Sequence, residues 1–173
     1  FVGAGTRAAD IALQSVYPVA DRKDAGRIFA KRRAGKEVTG AEAAAFKGYL
    51  TYFLMRLYAE KGIVTELHAG AMRNNNSVMM EKLGSDTGYD SMPEEHGIGN
   101  KSRLFDLLYA EGKLPKTIVF NLNPKMNAEI MTLLGCFQSD EAKGKLQYGA
   151  AWWFLDNKAG MEKHLQDLTA TGH

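Results

Sequence analysis

Apolar and polar positions along this chain follow two periods, and the change from one to the other divides it into strands and helices. Ile63-Val64-Thr65-Glu66-Leu67-His68 is a β-branched, apolar run of strand length that ends on a histidine. Residues 117–121 predict a further strand and residues 146–148 a short one. Around them the spacing is helical. Helices are expected over 21–34, from the Thr39-Gly40-Ala41-Glu42 capping box to about residue 60, and over 77–83, 101–110, 124–135 and 157–169. Phe46, Leu50, Phe53, Leu54, Leu57 and Tyr58 recur at three- and four-residue spacing, which predicts a stripe turned toward a core. Phe1-Val2-Gly3-Ala4-Gly5 reads as the tail of a strand entering a glycine loop, as though the chain began inside an element.

Strands that alternate with helices in this way call for parallel pairing through right-handed crossovers. Doubly wound sheets and (β/α) barrels share that order. No G-x-G-x-x-G follows a strand and no G-x-x-x-x-G-K-[ST] occurs, so the common dinucleotide and phosphate fingerprints are absent and no nucleotide cofactor is expected. The expectation is an α/β chain, 1–173, forming a single partial barrel domain. A helical insertion is placed at about 21–61, and a polar, glycine-bearing loop at about 84–99 is too long for a simple connection.

Composition changes this picture little. The 173 residues are 45% hydrophobic and 24% charged, ordinary for one domain with a sizeable core. With 22 basic against 20 acidic residues the net charge is +2, which gives no electrostatic footing for nucleic acid. Lys31-Arg32-Arg33 is read as the solvated end of a helix. The single cysteine, Cys136, has no partner for an internal disulfide, suits a reducing compartment and is expected in the core. Charges such as Lys47 and Arg56 interrupt every long apolar stretch, so no membrane span or signal peptide is expected and a cytoplasmic location is the default.

Candidate chemistry gathers where strands end, the edge at which α/β barrels present their reactive groups. His68 closes a strand, and an imidazole there can move a proton or bond a hydroxyl near neutral pH. Its plainer role is a core histidine on a backbone carbonyl. Arg73 offers a planar cation for a carboxylate, or else an ion pair that fixes a loop. Asn74, Asn75 and Asn76 can bond a polyhydroxylated ligand, although asparagine also forms turns and caps. Asp86 and Asp90 are candidates for a lid over substrate or simple turn formers, and Trp152 and Trp153 are expected to place one indole in a sugar pocket and one in its wall. Glu94, Glu95 and His96 match no zinc spacing and are read as a solvated loop. His164 and His173 are given no role.

Several of these stretches together resemble one family. Leu67-His68-Ala69-Gly70-Ala71-Met72-Arg73-Asn74-Asn75-Asn76, Leu83-Gly84-Ser85-Asp86-Thr87-Gly88-Tyr89-Asp90-Ser91, Leu114-Pro115-Lys116-Thr117 with Asn121-Leu122-Asn123-Pro124, and Trp152-Trp153-Phe154 are similar to uronate (glucuronate) isomerases. Thr6-Arg7-Ala8-Ala9-Asp10 looks like that family's strand-four edge, so the likeness covers essentially the whole chain.

The resemblance implies a (β/α)8 TIM barrel of the amidohydrolase superfamily, of which this chain is a part, from the end of strand four through the helix after strand seven. It implies aldose-ketose isomerisation of D-glucuronate to D-fructuronate and of D-galacturonate to D-tagaturonate by proton transfer through an enediol. It assigns catalytic roles to His68 and Arg73 and substrate contacts to Asn74, Asn76, Asp86, Trp152 and Trp153. The parent enzyme would be a homo-oligomer acting on a small sugar acid, with a divalent metal such as zinc. No complete metal set lies in this chain. The family's His-x-His and Asp-x-Arg fall outside it, and no two of His68, His96, His164 and His173 are separated by one residue, which leaves His68 as the candidate ligand. The chain alone is therefore expected to be inactive. Two departures stand out: Ile11 and Ala12 follow Asp10 where the family has histidine and glycine, and Leu155 stands where a polar residue is usual. If the family's histidine touches substrate, a contact is lost or replaced here, and substrate preference or activity would change. The alternatives are a metal-dependent hydrolase of the amidohydrolase type, or a catalytically silent barrel used for binding.

Overall fold

The computed structural model describes residues 1–92, 97–140, 142–151 and 155–170. Four strands form one parallel sheet in sequence order: β1 (Ala8–Leu13), β2 (Val64–Ala69), β3 (Thr117–Asn121) and β4 (Leu146–Ala150). Each connection carries helix: α1 (Arg22–Arg33) and α2 (Gly40–Lys61) after β1, α3 (Ser77–Leu83) and α4 (Ile98–Ala110) after β2, α5 (Asn127–Gly135) after β3 and α6 (Lys158–Ala170) after β4. This is the unbroken neighbour-to-neighbour order of a barrel wall, without the reversal of a doubly wound sheet.

Local chemistry explains the boundaries. Thr39 accepts from the Glu42 N–H while the Glu42 carboxylate accepts from the Thr39 N–H, a capping box that starts α2. Gly62, in the left-handed region at φ 65°, ends it. The proline-led stretch opens as a 3-10 turn, Pro124–Met126, before α5. At the amino terminus the expected strand tail is instead a 3-10 turn, Val2–Ala4, because a strand there would have needed a run of apolar residues that Gly3 and Gly5 interrupt.

The core lies between the sheet and the helices. Leu67, Val119 and Leu146 from the sheet meet Met55 of α2, Leu104, Phe105 and Leu108 of α4, and Ile130, Met131 and Leu134 of α5, all with almost no exposed surface. Side chains of this size stabilise by about 1.5–3 kcal/mol each on full burial. Gly48 seats α2: a Cβ there would stand 2.0 Å from the Pro18 carbonyl oxygen.

Two expectations about packing fail. On α2 the buried positions are Gly48, Thr51 and Met55, whereas Leu50, Phe53 and Leu57 are exposed. The small and mid-sized residues let the helix approach the rest of the domain, and Leu50 and Phe53 border an open groove with Phe29, whose ring stacks on Phe46. Cys136 is exposed, not in the core, because it caps α5 just beyond buried Leu134. The basic cluster does sit in the last turn of α1, with Lys31 bonded to Glu42. None of the described helices is long and apolar enough to cross a membrane.

Candidate active site

Side chains along a strand alternate between faces, and the strand register brings one set of them to a common surface. Asp10 pairs with Glu66, Ala12 with His68, His68 with Phe120 and Phe120 with Gly149. These residues stand on the face turned away from the helices, while Leu67, Val119 and Tyr148 are buried on the other. Asp10 and Phe120 help to hold His68 there. Its Nδ1 donates to Oδ1 of Asp10, since an ionised carboxylate can only accept. Its ring lies flat on Phe120, with centroids 4.3 Å apart and planes 6° from parallel. A histidine that donates through Nδ1 can accept a proton at Nε2 when its ring is neutral. Gly149 makes room for this stack, because a Cβ there would fall 2.3 Å from the Phe120 ring.

Beyond β2 the chain folds against the segment that follows α3. Met72 and Ser91 exchange backbone hydrogen bonds of 2.8 and 2.9 Å as an antiparallel bridge, and the Asn75 N–H donates to the Tyr89 carbonyl at 2.8 Å. Arg73 Nη1 then meets Asp90 Oδ2 at 2.7 Å and Asp86 Oδ1 at 3.5 Å. Asn74 adopts φ 55° and Asp86 φ 60°, left-handed values that asparagine and aspartate tolerate better than most residues.

Three asparagines have local work. Asn74 Oδ1 accepts from the Asp86 N–H, Asn75 Nδ2 donates to the Met72 and Tyr89 carbonyls, and Asn76 Oδ1 caps α3 through the Met79 N–H. Residues 84–91 are thus already closed onto the Arg73 loop. A cavity of about 260 Å³ at the strand ends is lined by Ala12, Gln14, His68, Ala69, Met72 and Arg73, so the predicted base and cation face one space. Asp86 reaches Arg73 at its edge. Trp152 and Trp153 lie outside the described residues, as do Glu94, Glu95, His96 and His173. His164 is buried on the helix side, its Nε2 bonded to the Tyr148 carbonyl at 2.8 Å, in keeping with a structural place.

Asp10, Phe120 and Gly149 belong to this surface without having been expected as site residues, and Asp90, expected only in a lid or a turn, is the buried partner of Arg73. Asp10 and His68 are 58 positions apart, and only strand register joins them. Ile11 and Leu155, two residues that depart from the family pattern, are packed in apolar surroundings. Ile11 packs against the helix-side core, so its side chain points away from His68. Leu155 is buried with Ala71, Leu122 and Ala151, where a polar group would need a partner.

Among the described residues no three histidine, cysteine, aspartate or glutamate side chains gather around one point, so they do not make up a metal centre and no step is assigned to a metal. The His68 and Asp10 pair is at most a portion of such a set.

The glucuronate isomerase family model matches residues 1–173. This chain belongs to the glucuronate isomerase family. It is 45% identical over 173 residues to a uronate isomerase of Clostridium acetobutylicum and 40% identical to one of Bacillus subtilis, matching 99% of this chain and 37% of each relative. The crystal structure of a uronate isomerase from Thermotoga maritima superposes with a TM-score of 0.86 at 27% identity, covering 99% of this chain and 36% of that one. The chain therefore spans little more than a third of the length of its relatives. The architecture is α/β, a partial TIM-barrel wall, as the order of elements implied.

Proposed function

We propose that the enzyme containing this chain interconverts hexuronates with their keto isomers, D-glucuronate with D-fructuronate and D-galacturonate with D-tagaturonate. The observation that carries the reading is the placement of His68 and Arg73 on one cavity at the strand ends of a glucuronate isomerase family member. Aldose-ketose isomerisation moves one proton between C2 and C1 and another between the two oxygens, through an enediol. It needs a base at carbon, an acid for the oxygens and a cation for the carboxylate.

His68 Nε2 takes the C2 proton and returns it to C1, while Asp10 keeps the ring oriented and stabilises the imidazolium formed. Phe120 backs the ring and fixes its plane. Arg73 receives the substrate carboxylate, and Asn74, Asn76, Asp86 and the tryptophans Trp152 and Trp153 supply polar and flat apolar contacts to the sugar. A divalent metal such as zinc would take most of its ligands from outside this chain, with His68 a candidate ligand within it, and would polarise the substrate oxygens. A hydrolase acting on amides or lactones is disfavoured by the relatives' own description as uronate isomerases. The reading also carries a cytoplasmic, homo-oligomeric parent without nucleic-acid or membrane partners.

Proton NMR in deuterated water, following ketose formation and deuterium entry at C2 with and without zinc, tests this directly. The full-length enzyme is expected to turn over both sugar acids. The isolated 173-residue chain is expected to be inert, and turnover by material of verified mass would show that groups outside it are dispensable.

A further inference from the structure

We infer that Asp90 is the positioning residue of Arg73, holding the guanidinium and the left-handed turn at Asn74 in one arrangement before substrate arrives. The inference rests on the isomerase reading above and concerns a residue that acts through Arg73, not on the sugar. The Asp90 side chain is only 4% exposed, against 44% for Arg73 and 73% for Asp86. Both of its carboxylate oxygens are engaged. Oδ2 accepts from Arg73 Nη1 at 2.7 Å, and Oδ1 accepts from the Asn74 backbone N–H at 2.8 Å.

One carboxylate therefore fixes a side chain and the backbone next to it. Its own place is set from both sides, because Tyr89 and Ser91 are bonded through their backbones to Asn75 and Met72. Arginine has many rotamers, and a guanidinium pinned in advance has already lost that freedom when an anionic ligand binds. Asp86 lacks this construction: its side chain is exposed and its contact with Arg73 is long. A loop-bracing role alone would explain the bond to Asn74. It would not require the second oxygen to be spent on an exposed arginine that lines the cavity.

The test is a double-mutant cycle in the full-length enzyme: unmodified, Asp90→Asn, Arg73→Met and both together, each with kcat, KM for D-glucuronate and a thermal unfolding curve. Asp90→Asn is expected to lower kcat/KM by about 10–100-fold, the scale set by misplacing a binding group by about an ångström, with Tm close to the unmodified value. The double variant is expected to match Arg73→Met within about threefold, because Asp90 has nothing left to position. Losses that multiply, or an Asp90→Asn enzyme equal to the unmodified one, overturn the assignment. If Asp90→Asn fails to fold, Asp90→Glu, which keeps the charge and moves it by one methylene, is read in the same cycle against the same outcomes. An unmodified enzyme without uronate turnover sinks the isomerase reading and the assignment with it; turnover with multiplying losses sinks the assignment alone.

Discussion

Along β2 neighbouring residues lead opposite lives. Thr65, Leu67 and Ala69 are buried against the helices, while Glu66 and His68 stand on the other face, where His68 meets Asp10 and Phe120. The first set is held by exclusion of water and tolerates apolar side chains that fill the volume. In the second, His68 is held by a directed hydrogen bond and a ring stack. One strand thus carries stability and chemistry in alternate residues, and a shift of pairing by one residue would exchange them.

The comparison breaks most visibly at His68. In the full-length enzyme His68→Asn should lower kcat for D-glucuronate by about 10²–10⁴-fold, the usual share of general acid-base catalysis, with little change in Tm. A fall in Tm with kcat retained would make His68 a core residue after all. Leu67→Ala, one position earlier, should do the reverse. It should cost about 2–5 kcal/mol in urea unfolding while the folded fraction keeps its kcat and KM. Gly149→Ala sharpens the contrast from the neighbouring strand, since its new methyl must push Phe120 off the histidine. About a tenfold drop in kcat is expected, and Phe120→Leu, which gives way, should rescue part of it in the double variant.

The smallest effect belongs to the ion pair that joins α1 to α2, away from both faces of β2. The Lys31 ammonium beside Glu42, together with the Thr39 N–H, holds the Glu42 carboxyl at about 2 against an ordinary value of 4.5. A carboxyl lowered on folding contributes stability that is present above 4.5 and lost as pH falls toward about 2. Urea midpoints of the unmodified protein and Glu42→Gln should therefore differ at neutral pH and converge as the pH is lowered through that window. A constant difference would mean that shape, not charge, makes the contact.

The part of the candidate site that was legible carries local signals. His68 ends an apolar run, Arg73 follows in a loop of small and polar residues, and the two do share a cavity. Asp10 and Asp90 were not legible as partners, because nothing near either residue in the chain names the base or cation that it holds. The α2 stripe misled for a related reason: periodicity shows that a helix has an apolar side, but the packing surface was set by Gly48, whose missing side chain lets Pro18 approach.

By itself the sequence determined the elements from α1 onward and their order, though not the place of β1, because hydrophobic period, caps and stops act over a few residues. Its motifs also determined the family resemblance. Tertiary structure alone decided which face each strand residue takes. It turned Ile11 and Leu155 into packing, put Cys136 outside the core, and joined Asp10 to His68 and Asp90 to Arg73. Those outcomes depend on strand register and loop closure between residues far apart in the chain, and contacts over such separations are settled only when the whole sheet is paired.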